Sequence, residues 1–367
     1  MLERSARAPH VSKKGESLEA LPRSDASAAP HDASHVPHRG TGATPPSSSN
    51  HWLPPRSVWH RIQDPIAHVL ITLVSAGAII AVFLIFLFVG KEGAPIVYDE
   101  AVREDVRIEH LFLPQPPKEG RPPVYRWRPV SKRPRYNLVP LIVGTLKITL
   151  VAIVAAFPPA ILAALFSVEF APRGVREVLK PIVELLAGIP SVVLGFFALM
   201  IMAPRLKAWL GLDYQLNALV AGLAVGIAVL PIFFTVSEDA FNAVPRSYRE
   251  ASYALGADHF TTAWRIVLPS ALPGVFAALV LGMGRAIGET MIVLMASGNA
   301  PLLSWSVTDS VRTLSATIAA EMLEVVQGDV HYRVLFFMGT LLFTLTFLIN
   351  FLGDLAVARL ERRFGGD

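Results

Sequence analysis

Six stretches of this chain are each apolar over about the length of one bilayer-crossing helix: residues 66–89, 138–157, 182–203, 216–236, 271–296 and 334–355. A hydrocarbon core takes about 20 apolar residues in helical form. Inside it the backbone N–H and C=O groups find no water and must satisfy one another. The fold class this predicts is an all-α integral membrane protein with six transmembrane helices. Composition agrees, with 53% hydrophobic and 17% charged residues in 367 and a mean hydropathy of +0.48, beyond what a soluble domain usually sustains. The second stretch continues toward Phe166 past Pro158 and Pro159, and proline and glycine are tolerated inside such helices.

Outside the six stretches the chain is polar. Residues 1–58 hold 8 Pro, 10 Ser and five His with few large apolar side chains. Such a segment cannot bury enough surface to fold alone, and it reads as a disordered tail. It lacks the pattern of a signal peptide. His31, His35 and His38 lie within it, but their spacing matches no folded metal site. Cysteine is absent, which excludes disulfides, thiolate metal centres and cysteine nucleophiles. No metal and no cofactor is expected. The net charge of +4 suits loops that face anionic lipid, and no basic patch interleaved with aromatics suggests nucleic acid.

The loops predict an orientation. Arg173, Arg176 and Lys180 follow the second stretch, Arg246, Arg249 and Arg265 the fourth, and Arg359, Arg362 and Arg363 the last. The segment 299–332 is acidic, with Asp309, Glu321, Glu324 and Asp329. Positive residues stay inside, so both termini are expected in the cytoplasm. The organisation expected is a tail (1–58), a first span (66–90), an external loop (91–135) and a core of five spans (136–360). The basic run "RWRPVSKRPR" (126–135) runs against this rule. Its loop is long for a connection, and a small external cap shaped by Trp127 and the prolines is expected there.

The fifth stretch carries a physical problem. It contains "GMGRAIGETM" (282–291), with Arg285 near the middle of the span and Glu289 four residues on. A charge at the bilayer centre costs about 2.5–3.5 kcal/mol on insertion scales. In a continuous helix the i, i+4 spacing puts both residues on one face. Two readings stand: an ion pair locking helix to helix, or a solvated anion path in which Arg285 offers its planar fork to an oxyanion and Glu289 weakens the grip enough for release. Gly284 and Gly288 form a small-three-small pair, suited to a partner across the pore or to packing within one subunit. In the third stretch, Pro190 is expected to kink the helix and free the carbonyl of Leu186, as a simple kink or as part of a gate. Ser191 follows it, free to donate to an anion or to its own backbone.

Between the fourth and fifth stretches lies "REASYALGADHFTTAWRIVLP" (249–269). It reads as two short helices joined at Gly256, where a left-handed turn carries no Cβ penalty. The stretch resembles the coupling loop of ABC-importer permeases, with Glu250, Ala251, Gly256, Leu268 and Pro269 matching and Ser252 in place of the second alanine. "ELLAGIPSVVLGFFAL" (184–199), "GMGRAIGETM", "TLSATIAAEM" (313–322) and "GDVHYRVLFFMGTLLF" (328–343) are similar to phosphate importer permeases. With "GRAIGETM" followed by Gly298-Asn299, and "PLIVGTLKITLVA" at 140–152, they resemble the PstC type. The likeness covers roughly residues 66–360.

The resemblance implies a type I ABC importer permease fold and a role as one half of a phosphate pore in the inner membrane. Its implied partners are a second homologous permease (PstA-like), two ATP-binding subunits (PstB-like), a periplasmic phosphate-binding protein (PstS-like) and membrane lipid. It places Arg285 and Glu289 on the substrate path, and Glu250, Ala251, Leu255, Gly256, Leu268 and Pro269 (within a coupling loop at 245–269) against the ATPase. Lys147 departs from the family pattern, as a private feature or a second anion contact; it and Ser191 are further candidates for the substrate path. Glu321, Glu324 and His331 meet the binding protein or are simply solvated. No phosphate-binding Gly-x4-Gly-Lys-Ser/Thr loop occurs, so ATP hydrolysis belongs to separate subunits and the chain is no enzyme. Two rivals stay open: a permease for sulfate or molybdate, and a membrane subunit that transports nothing.

Overall fold

The structure, a computed structural model, describes residues 58–364 except 101, 103–105, 115–124 and 132–133, with side chains from 67 to 362. Residues 1–57 of the expected tail, with His31, His35 and His38, lie outside the described residues. By internal contacts the chain divides after Ala67, and the helical bundle belongs to the second unit, from His68 onward.

Among the described residues the regular structure is helical, with only two isolated β-bridges. In chain order the principal helices are α1 (Val58–Gly93), α2 (Val139–Glu169), α3 (Arg173–Ala187), α4 (Ser191–Phe197), α5 (Ala203–Leu210), α6 (Ala218–Ala243), α7 (Arg246–Ala254), α8 (His259–Thr262), α9 (Leu272–Gly288), α10 (Met291–Ala296), α11 (Leu314–Glu321) and α12 (Val330–Phe364). Five helical segments are long and apolar enough to cross a bilayer, and a sixth if the helical segment His259–Ser270 and α9, bent by 65° at their junction, count as one.

The second span is an uninterrupted helix through Pro158 and Pro159. Two others are broken. The third does not run through 182–203 as one helix. Gly188 ends α3, and Pro190 stands at the N-cap of α4 with ψ 137°. The expected orphan carbonyl is therefore not left open: Leu186 accepts from the Ile189 N–H at 3.3 Å. The span resumes as Ser191–Leu210 through a π-helical turn at Ala198–Met202. The fifth span also fails to run through 271–296. Its helix α9 stops at Gly288, Glu289 turns extended at ψ 126°, and α10 restarts at Met291. The 17 residues of α9 span only about 25 Å at 1.5 Å each, short of a 30 Å core.

The core lies where α2 packs on α6. Ala152, Ala156, Ala160 and Ala164 recur every fourth residue of α2, all buried. Ala152 and Ala156 meet Gly226 of α6, where an added Cβ would sit 3.2 Å from the Ala152 carbonyl, and Gly222 lies against Val151, where an added Cβ would sit 3.1 Å from the Ile148 carbonyl. Small residues at this spacing let two backbones approach closely, which is how helices associate without a hydrophobic gain between them. Asn217 caps α6 by accepting from the Val220 N–H at 2.9 Å.

A second apolar cluster lies over the ends of α2 and α12, built from Trp127, Tyr136, Leu138, Leu141 and Leu335 with Ile96 and Leu111 from single helical turns. One charged cluster pins it. Glu321 of α11 meets Arg312 at 2.8 Å and His331 at 2.9 Å, and accepts from the indole N–H of Trp127 at 3.1 Å. Glu321 and His331, expected to face a partner or solvent, are thus turned inward; Glu324 is exposed. Burial alone would raise the Glu321 carboxyl. Hydrogen bonds from His331 and Trp127, with the charge of Arg312, outweigh it and hold the group below the usual carboxylate range.

Candidate functional site

The two broken spans meet. Gly195 of α4 packs on α10, where an added Cβ would sit 3.2 Å from the backbone of Ile292 and 2.9 Å from Met295 Sδ. Pro190 and Ser191 lie about one turn before that contact, and Glu289 two residues before Met291. The interruptions therefore fall at neighbouring levels of the bundle.

On α9 the exposed positions after its first residue are Leu281, Arg285 and Gly288. They follow i, i+4, i+7, so they form one stripe. Arg285 occupies the last turn, where unsatisfied helix carbonyls favour a cation. Among the described residues it makes no ion pair, and none joins it to Glu289. The expected shared face is absent because the helix ends between them. Glu289 instead serves the break itself. Its Oε1 accepts from the Thr290 N–H at 3.1 Å and the Ile292 N–H at 3.4 Å, opening α10, while its carbonyl accepts from Ser315 Oγ at 2.9 Å.

The glycine pair of α9 is also divided. An added Cβ at Gly284 would sit 3.0 Å from Asn350 Oδ1 of α12, a contact within the subunit, whereas at Gly288 it would meet nothing. The close-packing pair is Gly222 and Gly226 of α6, which has the same spacing but no charged neighbour to mark it in the sequence.

Lys147, expected on the substrate path, is buried in α2. Its Nζ donates to the carbonyls of Ser304 and Ser306, the latter at 2.8 Å. Lys147 lies eight residues into α2, and its long side chain ties the 304–309 loop to the opening turns of that helix. Irregular backbone against a spanning helix is stable only where other groups satisfy it, and this ammonium does so. Backbone bonds from Ala218 to Asp309 and from Leu219 to Val307 complete the seating. Two of the three ammonium donors are thereby committed to the loop.

At the opposite end of α9, α7 and α8 form a projecting pair. Gly256 between them takes φ +84°, in the left-handed region that side chains rarely adopt. Asp258 caps α8, and hydrogen bonding from Thr261 holds its carboxyl below the usual range. Leu255 is 90% exposed and Phe260 61% exposed, Glu250 and Ala251 are exposed, and Leu268 and Pro269 are half-buried where the chain turns into α9. An exposed apolar tip on a polar helix is what a docking element presents.

A bundle of membrane-length helices, two of them broken side by side, with an exposed apolar-tipped helix pair at one end, defines the class: a multi-pass helical membrane protein. The signature of the binding-protein-dependent transport system inner membrane component family matches residues 156–366, and the chain belongs to that family. It is 36% identical over 222 residues to the probable ABC transporter permease protein YqgH of Bacillus subtilis, covering 60% of this chain and 72% of that one. Against the phosphate transport system permease protein PstC of Mesorhizobium japonicum it is 33% identical over 258 residues, 65% of this chain and 78% of that one. A bacterial ABC transporter involved in import of the acidic polysaccharide alginate superposes with a TM-score of 0.54 at 17% identity, over 82% of this chain and 99% of that one. That likeness is one of fold, the type I ABC importer permease fold. The chain is thus a permease subunit of an ABC importer.

Proposed function

We propose that this chain is one half of the translocation path for inorganic phosphate, with Arg285 as the anion contact. The observation that carries the reading is the outward stripe of α9. A guanidinium facing lipid there is costly, and no carboxylate neutralises it among the described residues. A polar path shared with a second, homologous permease removes that cost, and the bare Gly288 leaves room beside it. The likeness to PstC permeases supports phosphate as the anion. Arginine suits it because two parallel N–H donors match two phosphate oxygens. In this reading Ser191, at the neighbouring break, adds a hydroxyl donor. Glu289 moderates nothing directly; it fixes the break that ends α9 just past Arg285.

In this reading both termini and the α7–α8 pair face the cytoplasm. Two ATP-binding subunits seat the exposed tip formed around Leu255 and Gly256, and a periplasmic phosphate-binding protein delivers substrate to the other end. Closure of the ATPases rocks the spans as rigid bodies between two openings.

Replacing Arg285 by Gln tests the assignment. Losing charge-assisted bonds worth about 1.5–3 kcal/mol corresponds to a fall of roughly 10- to 100-fold. Phosphate uptake by the reconstituted complex is expected to drop by at least that factor while all subunits still co-purify. Undiminished uptake, or a complex that fails to assemble, contradicts the path assignment.

A further inference from the structure

Helix α7 packs beside α8 and the turn 263–267 that follows it, and most of its surface is exposed. Its residues are exposed except at two positions three apart, Arg249 and Ser252. Ser252 bonds only sideways, its hydroxyl 2.9 Å from that of Thr262. Arg249 faces the bundle. Its Nε and Nη2 donate to Glu169 Oε1 at 3.0 and 2.7 Å, its Nη1 to the Val244 carbonyl at 2.6 Å, and its Nη2 also to the Phe241 carbonyl at 2.9 Å. One guanidinium therefore joins α7 to the last residue of α2 and to the closing turn of α6.

The chemistry explains why this contact forms. Glu169 ends α2, where the helix dipole disfavours a carboxylate, and its side chain is only 5% exposed. It requires a cation, and the planar fork of arginine also satisfies orphan carbonyls at the end of α6. The same two helices are tied again just inside, where Ser167 Oγ donates to the buried Glu238 at 2.9 Å. Arg176 of α3 caps the other end carbonyls of α2, donating to Ser167 and Val168 at 2.7 Å each. The ends of α2 and α6 thus form one polar-bonded block, and α7 enters it through Arg249.

We infer that Arg249 is a transmission residue of this permease, the one that ties α7 to α2 and α6. It makes α7 move as one body with α2 and α6, so that displacement of the exposed face of α7 drives the packed pair instead of being absorbed at the Val244–Pro245 connection. Arg249 touches neither substrate nor nucleotide; it is a positioning residue. The inference rests on the proposed docking of ATP-binding subunits at α7–α8.

The test uses the complete complex in proteoliposomes, measuring ATP hydrolysed and phosphate imported together. For Arg249→Ala the ATP-binding subunits are expected to co-purify, with phosphate imported per ATP reduced at least tenfold. Arg249→Lys, which keeps the charge but not the fork, should fall between. The chain has no cysteine, so Glu169→Cys with Arg249→Cys provides two unique thiols. Joining them with a short bifunctional thiol reagent should restore much of the lost transport per ATP, which a role in folding alone would not produce. Unchanged transport per ATP in Arg249→Ala overturns the inference. So does loss of assembly in that variant, or a completed cross-link that restores nothing. If the unaltered chain recruits no ATP-binding subunit, the functional reading itself falls, which is a distinct result.

Discussion

A cation in an apolar helix persists only where something offsets its insertion cost of about 2.5–3.5 kcal/mol. For Arg285 the sequence offered Glu289, four residues away. That spacing makes a pair only if the helix continues, and it stops at Gly288. No proline marks the break, so periodicity alone could not reveal it. The fate of Lys147 was equally hidden, because its carbonyl partners lie more than 150 residues away. Glu321 shows the same limit. Composition places it in an acidic loop, yet Arg312, His331 and Trp127 converge on it. Its depressed carboxyl contributes stability that is present above the unfolded-state pKa and is lost as pH falls through the lower folded-state value. Acidification below the ordinary carboxylate range should therefore expose Trp127, seen as a red shift in its emission. Glu321→Gln should produce that shift at neutral pH with a loss of about 1–3 kcal/mol. An emission maximum unchanged in both cases contradicts the clamp.

At the scale of elements, the α7–α8 pair was legible because glycine, cap and apolar tip lie consecutively in sequence. The left-handed Gly256 is the kind of position a chain marks openly. A β-branched residue there is strained by about 1–2 kcal/mol. Gly256→Val should swing α8 away from α7 and detach or uncouple the ATP-binding subunits, read as their loss on co-purification or as ATP hydrolysis without uptake. Normal uptake in this variant contradicts the docking role. The broken spans were half legible: Pro190 announced an interruption, but whether proline bends or ends a helix depends on what receives the freed groups. Gly284 and Gly288 shared the spacing of Gly222 and Gly226, and only the neighbours told them apart. The latter pair faces α2 at Ile148, Val151, Ala152 and Ala156, while the former is split between Asn350 and open space.

For the whole molecule, six apolar lengths predicted the span number, and the helices agree once the bent pair is counted as one. What sequence could not supply was the tie between the ends of the bundle and its centre. The Trp127–Glu321 contact joins residues 194 apart, and Arg249 reaches Glu169 across 80. Such bonds depend on which helix ends come together, which local pattern does not encode. They also sit at different places: the 304–309 loop is held by Lys147 and the Trp127 cluster by Glu321, while Arg249 and Arg176 bond the ends of α2 and α6. The decisive measurement is uptake of radiolabelled phosphate into proteoliposomes holding this chain with a homologous permease, ATP-binding subunits and a phosphate-binding protein. Uptake that requires ATP, is blocked by unlabelled phosphate and is untouched by excess sulfate or molybdate is the expected result; uptake blocked by sulfate or molybdate, or none at all from an assembled complex, would contradict it.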